Sequence, residues 1–185
     1  MPIYALNDGT EVRIRPIRAD DSGRLRASHA RLSPESRYRR FLGPKPELTR
    51  ADARYLAELD GCDHFALVAT LDDEEGSIVA VTRFIRIPGE PNLAEFAIVV
   101  GDAYQGQGLA TEMTAQLVRA AARRGITRFR ASILTDNLPA RRLLVGLAEG
   151  APRERRAGST SELEIDLPCH EVLRHPEARR TVALR

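Results

Sequence analysis

The sequence has no tryptophan, two cysteines, and a single lysine, Lys45, among 28 basic residues. Cys62 and Cys169 form no CxxC pair, and the four histidines are scattered. Neither a zinc site nor a disulfide framework is expected, and no metal is. Scarce cysteine suits a reducing compartment, here the cytoplasm. Long apolar runs are missing as well. No stretch approaches the roughly 18 residues of a membrane span, and the start, MPIYALNDGTEVRIR, lacks the apolar core of a secretory signal. Aromatic residues are 5% and no basic stripe stands apart from acidic residues, which argues against nucleic acid as a partner.

What is present describes a globular chain. Of 185 residues, 43% are hydrophobic and 29% charged, with a net charge of +2. That length and balance fit one domain, expected over residues 1–167, with a polar tail over 168–185. The tail either packs on a second subunit, as in a homodimer, or runs free.

Thr10 to Arg18 alternates as a first strand, at an edge because of Pro16. Asp20 to Leu32 reads as a helix. Ser33-Pro34 starts a second, through Phe41, with serine as cap and proline at the first position. Thr49 and Asp52 are close to a capping box for a third helix, to about Leu59. His64 to Leu71, Ser77 to Ile87 and Leu93 to Val100 read as a strand meander with turns between. A helix follows the glycine-rich stretch 101–110, with Leu109, Met113, Leu117 and Ala121 spaced by four. Thr127 to Leu134 is a strand, Pro139 to Leu147 a short helix, Arg153 to Gly158 a basic loop and Glu162 to Leu167 the last strand. This order predicts an α+β (mixed α/β) fold.

The informative segment is Tyr104-Gln105-Gly106-Gln107-Gly108-Leu109-Ala110. Its glycines let the backbone approach a ligand closely. The first N–H groups of the next helix have no helical partner and suit a phosphate or pyrophosphate. A Walker loop would need Gly-Lys-Ser/Thr, and the dinucleotide fingerprint would need glycine or alanine where Thr111 stands.

The segment resembles the acetyl-CoA loop of the GNAT N-acetyltransferase superfamily, Q/R-x-x-G-x-G/A, through Gln105, Gly108 and Ala110. Asn137-Leu138-Pro139-Ala140-Arg141-Arg142-Leu143 resembles that family's N-x-x-A-x-x-L, and LAEFAIVV its preceding strand. LSPESRYRRFLGPKPELT, with HFALVATL and AEFAIVV, is similar to catalytic domains of bacterial Pat-type protein lysine acetyltransferases. The resemblance implies a central, mostly antiparallel twisted sheet of about six to seven strands flanked by about four helices. It implies acetyl-CoA as cosubstrate and an amine acceptor, a protein lysine first. A small-molecule amine, or a non-catalytic acyl-CoA-binding role, are the alternatives.

Residue by residue, the resemblance places acetyl-CoA against Ile98, Val99 and Val100 and on Gln105, Gly106, Gln107, Gly108, Leu109, Ala110 and Thr111. Asn137 touches the pantetheine side or caps its helix. Glu95 matches the general-base glutamate, since the acceptor ammonium must lose a proton. Burial among Phe96, Ile98 and pantetheine is expected for it. Leu144 stands where relatives carry a thiolate-protonating tyrosine. Arg141 and Arg142 either meet a phosphate or line a solvated helix face. Arg37, Arg39 and Arg40 are either exposed charge or a surface for an acidic group. Cys62, His64 and Tyr104 are read as structural.

Overall fold

Each expected element has a local cause, and the computed structural model, which describes residues 3–72 and 76–168, shows where those causes lead. In chain order the elements are β1 (Ile3–Ala5), β2 (Glu11–Pro16), α1 (Ser22–Arg31), α2 (Pro34–Phe41), α3 (Arg50–Ala57), β3 (His64–Leu71), β4 (Ile78–Ile87), β5 (Glu90–Val100), α4 (Leu109–Ala122), β6 (Arg128–Leu134), α5 (Leu138–Leu147), β7 (Arg153–Ala157) and β8 (Thr160–Asp166). Apart from Pro168, the expected tail lies outside the described residues.

Helix starts follow their caps. Ser33 Oγ accepts from Ser36 N at 3.1 Å, with Pro34 next in the chain. Thr49 and Asp52 close the capping box, each accepting from the other's N–H at 3.1 Å. Asn137 Oδ1 accepts from Ala140 N at 3.2 Å. These contacts satisfy amides that a helix leaves open.

The strands form one sheet in the order β1-β2-β3-β4-β5-β6-β8-β7. All neighbours are antiparallel except β5 and β6. Eight strands and five helices exceed the expected numbers slightly. The Arg153–Gly158 segment is a correction. It was expected as a loop, but Arg153 to Ala157 pairs with β8. All five residues of β7 are exposed, so no apolar alternation marks it.

Helices cover both faces. Under α4 and α5 lie Phe84, Phe96, Phe129 and Ile165, which pack with Met113 and Leu117 of α4. The fourfold spacing in α4 lands as read, with Leu109, Met113, Leu117 and Ala121 all at most 1% exposed. Under α1 and α3 lies a smaller cluster, with Leu25, Ala53 and Ala57 against Val68, Ile78 and Val81. Among the described residues, no helix is long and apolar enough to cross a membrane.

One register decides where a site can form. β5 pairs with β4 as far as Val100, but with β6 only over Leu93–Glu95. Beyond Glu95 the two parallel strands part. The second half of β5 therefore keeps one neighbour and one open side.

Candidate active site

The open side of β5 faces two adjoining cavities. The larger, about 530 Å³, runs from Ile98, Val99 and Val100 along Gln105, Gly106, Gly108, Leu109, Ala110 and Thr111 to Asn137 and Arg142. The smaller, about 220 Å³, sits in the gap between β5 and β6 and is lined by Glu95, Phe96, Ala97, Ser132, Leu143 and Leu144, among others. Arg39, Arg40, Ile98 and Asn137 border both. The structure thus gathers the expected site residues around one continuous groove. Gln107 is the exception and does not line it.

Backbone polarity along β5 follows from its hydrogen bonds. Gly101 N donates across to Val79 O of the β4 side at 2.8 Å. On the opposite side Val100 O accepts from Gln105 Nε2 at 3.0 Å. Strand groups alternate in direction, so the Ile98 N–H and C=O also point to the open side. That N–H is a fixed donor beside Glu95, of the kind that stabilises charge developing on an acyl oxygen.

At the other end, Gly108 stands just before α4 with φ 85°, and no side chain caps the helix. A Cβ at Gly108 would be strained by that φ and would come within 3.1 Å of the Tyr4 hydroxyl. Gly106, at φ 72°, also takes the left-handed form that glycine tolerates. The first amides of a 14-residue helix therefore open into the groove with the helix dipole behind them. Such a cradle can hold a diphosphate.

Three serine and acidic contacts tie this loop to α2. Asp102 accepts from Ser33 N at 2.9 Å, Ser33 Oγ at 2.8 Å and Ser36 Oγ at 2.7 Å. Burial acts to raise the Asp102 carboxyl, but these donors outweigh it and hold it below its usual value. Gln105 Nε2 also donates to Ser36 Oγ at 3.2 Å. Sequence reasoning missed Ser36 and Asp102, since only Ser33 carried a local signal.

Glu95 borders the small cavity but is exposed, so the protein's own residues do not bury it. Its side chain shares a face with Ala97, because strand residues alternate. The neighbouring cations are Arg40 on α2 and Arg83 on β4. Arg40 is half-buried with its guanidinium 5.0 Å from the Phe41 ring centroid. Burial lowers its pKa and the charge of Glu95 opposes that. Arg83 is 4% exposed and donates to His64 Nε2 at 3.0 Å and Leu56 O at 3.3 Å. Burial, then repulsion by Arg40, pushes Arg83 down to about 9. His64 is pushed down to about 4, first by burial and then by Arg83. Arg83 was also missed, although an arginine in the middle of the apolar run SIVAVTRFIRI was a signal of the same kind as Glu95.

Other residues settle into one of the roles open to them. Asn137 both caps α5 and borders the groove. Arg141 forks onto Glu154, while Arg142 is exposed at the groove. Leu144 is 1% exposed. Tyr104 packs on the core and also borders the groove. Among the described residues, no three His, Cys, Asp or Glu come together as a metal would require.

Residues 11–147 match the family of the Acetyltransferase (GNAT) domain. The chain is 36% identical over 155 residues to the acetyltransferase Pat of Mycolicibacterium smegmatis, covering 84% of this chain and 45% of that protein. It therefore spans less than half the length of that relative. The solved GNAT domain of S. lividans PAT superposes with a TM-score of 0.78 at 30% identity, covering 90% of this chain and 96% of that one. The yncA protein of Salmonella typhimurium, a putative acetyltransferase solved with its cofactor acetyl-CoA, shares the fold at a TM-score of 0.62 and 19% identity, over 86% of this chain and 95% of that one. With more than half its length matched, this chain belongs to the GNAT acetyltransferase family.

Proposed function

We propose that residues 1–167 form a single acetyltransferase domain that moves an acetyl group from acetyl-CoA to a primary amine, a protein lysine side chain being the foremost acceptor. The cytoplasm is the setting that its scarce cysteine suits. The observation that carries the reading is the parting of β5 and β6 just after Glu95, which leaves a carboxylate and an unpaired strand N–H beside one gap. Acetyl-CoA supplies the acyl group as a thioester, as the cofactor named for the Salmonella typhimurium neighbour does. The likeness of LSPESRYRRFLGPKPELT and AEFAIVV to Pat-type protein lysine acetyltransferases is what favours a protein acceptor.

In this reading the amides at the start of α4, with Gly106 and Gly108, hold the diphosphate. Asn137 and the open edge of Ile98 to Val100 hold the arm that follows. Glu95 takes the proton of the acceptor ammonium, directly or through water. The amine then attacks in a ternary complex while the Ile98 N–H meets the negative charge on the acyl oxygen. Leu144 has no proton to give, so the departing thiolate takes its proton from water.

Changing Glu95 to Gln should lower turnover at neutral pH by about 100-fold or more, the usual scale of general-base catalysis. Acetyl-CoA affinity, measured by calorimetry, should stay near the original. Undiminished turnover in that variant would reject the base assignment. Tight acetyl-CoA binding without acetylation of any amine would reject catalysis and make the chain an acyl-CoA sensor.

A further inference from the structure

Arg40 borders the cavity that Glu95 lines, and Arg83, which lines neither cavity, lies close enough to Arg40 to repel it; among the described residues neither forms an ion pair with a carboxylate. Arg40 borders both cavities, yet among the described residues no oxygen accepts a hydrogen bond from it. Its neighbours on α2 are already occupied. Arg39 pairs with Glu35 at 2.6 Å, and Arg37 donates to Pro46 O at 2.8 Å. Behind Arg40 lies Arg83, whose two hydrogen bonds go to a histidine and a backbone carbonyl. Arg83 sits opposite Ala97 in the β4–β5 register, one step along the same face from Glu95. Across the gap on β6, Arg130 is held by Glu164 at 3.0 Å and adds no free cation.

The resulting charge is one-sided. A buried cation without an anion is costly, and two that repel each other are more so. Among the described residues, Glu95 is the one carboxylate that lines the small cavity, and as a base it must remain available for a proton. An incoming lysine ammonium adds another positive charge to the same small space. An anion carried by the acceptor removes the imbalance. Guanidinium suits a carboxylate best, through two parallel hydrogen bonds.

Resting on the reading of a protein lysine as acceptor, we infer that Arg40 selects lysines flanked by a carboxylate, the side chain of an aspartate or glutamate in the same segment. Arg40 is then a specificity-determining residue, and Arg83 is the fixed charge behind it that keeps the pocket selective for anions.

The test uses two peptides that differ only beside a single lysine, with glutamate on both sides in one and glutamine in the other. Thiol release with acetyl-CoA gives kcat/KM for each. The unaltered protein should prefer the glutamate peptide by about tenfold, the scale of a charge-assisted hydrogen bond. Arg40→Gln should shrink that ratio below about twofold, and Arg40→Lys should retain part of it. The ratio cancels any effect of a variant on folding or coenzyme binding, because both peptides share it. Free glutamate, as a third acceptor, separates a carboxylate on an amino acid from one in a peptide. Equal rates on the two peptides, or a ratio unchanged in Arg40→Gln, would overturn the inference and leave the acetyltransferase reading standing. If neither peptide is acetylated, the lysine reading fails. Titration of the peptides onto the coenzyme A-loaded protein then decides the rest: tighter binding of the glutamate peptide, lost in Arg40→Gln, supports the carboxylate preference, and equal binding overturns it.

Discussion

Under α4 and α5 the sheet packs Phe84, Phe96 and Phe129 with Met113 and Leu117 of α4, while under α1 to α3 it buries Asp21, His29 and Arg83 beside a small apolar cluster. Apolar contact is non-directional, so the first face stabilises the fold by area removed from water. Buried polar groups must be satisfied one by one, so the second face commits side chains to particular positions. On the proposed reading, the coenzyme groove runs along the edge of the first face, and the acceptor approach lies on the second. In this chain a robust core supports the general cosubstrate, and a more exacting face is left to distinguish acceptors.

Three measurements can break or sharpen that contrast. Phe129 is fully buried and stacks with Phe96 at 5.4 Å between ring centroids. Phe129→Ala should cost about 3–5 kcal/mol in urea unfolding, through lost transfer energy and a cavity. A cost below about 1 kcal/mol would mean that this face is not the main source of stability.

Asp21 is the counterpart on the other face. It has no exposed surface and receives both arms of Arg15, at 2.6 and 2.7 Å, with the Arg18 N–H at 2.9 Å. Burial works to raise this carboxyl, and the Arg15 fork with its neighbours brings it below its usual value. Asp21→Ala should cost about 3 kcal/mol, because it leaves a poorly solvated guanidinium without its partner. Replacing both partners together, Arg15→Met with Asp21→Leu, should recover most of that loss. If the double change costs as much as the single one, the pair stabilises in its own right and the contrast between the faces weakens.

The smallest effect concerns pH. Burial and then Arg83 disfavour the His64 cation and push its pKa in the folded chain down to about 4, from the 6.5 of an ordinary imidazole. His29 is lowered too, first by burial. The unfolded chain therefore binds more protons between pH 6.5 and 4, and stability should fall as pH drops through that window. His64→Gln keeps an acceptor toward Arg83 without the titration, so its melting temperature should fall less steeply over the same range. Parallel slopes for the two proteins would show that His64 does not contribute.

Legibility along the chain followed the range of the cause. Ser33, Thr49 and Asn137 act within three residues of themselves, and each cap was readable. The stripe of α4 and the glycines before it were readable for the same reason. β7 was not, since Arg153 to Ala157 is polar on both sides and gains its form only from pairing with β8. Glu95 is left exposed by the chain's own residues, because alternation assigns a face but not what covers that face. Ser36 and Asp102 stand 66 residues apart, and no local pattern joins them.

Sequence alone was enough to settle the order of the helices and of the strands from β2 to β6 with β8, the glycine turn at Gly106 and Gly108 and the odd carboxylate in an apolar strand, because periodicity, caps and glycine conformations are short-range properties. Only the tertiary structure decided that β5 leaves β6 after Glu95, that Asp102 fastens α2 to the glycine turn, and that Arg40 comes to the cavity of Glu95 with Arg83 behind it. Those outcomes depend on register and on which distant side chains compete for one partner, and such competition is resolved only when the whole sheet has closed.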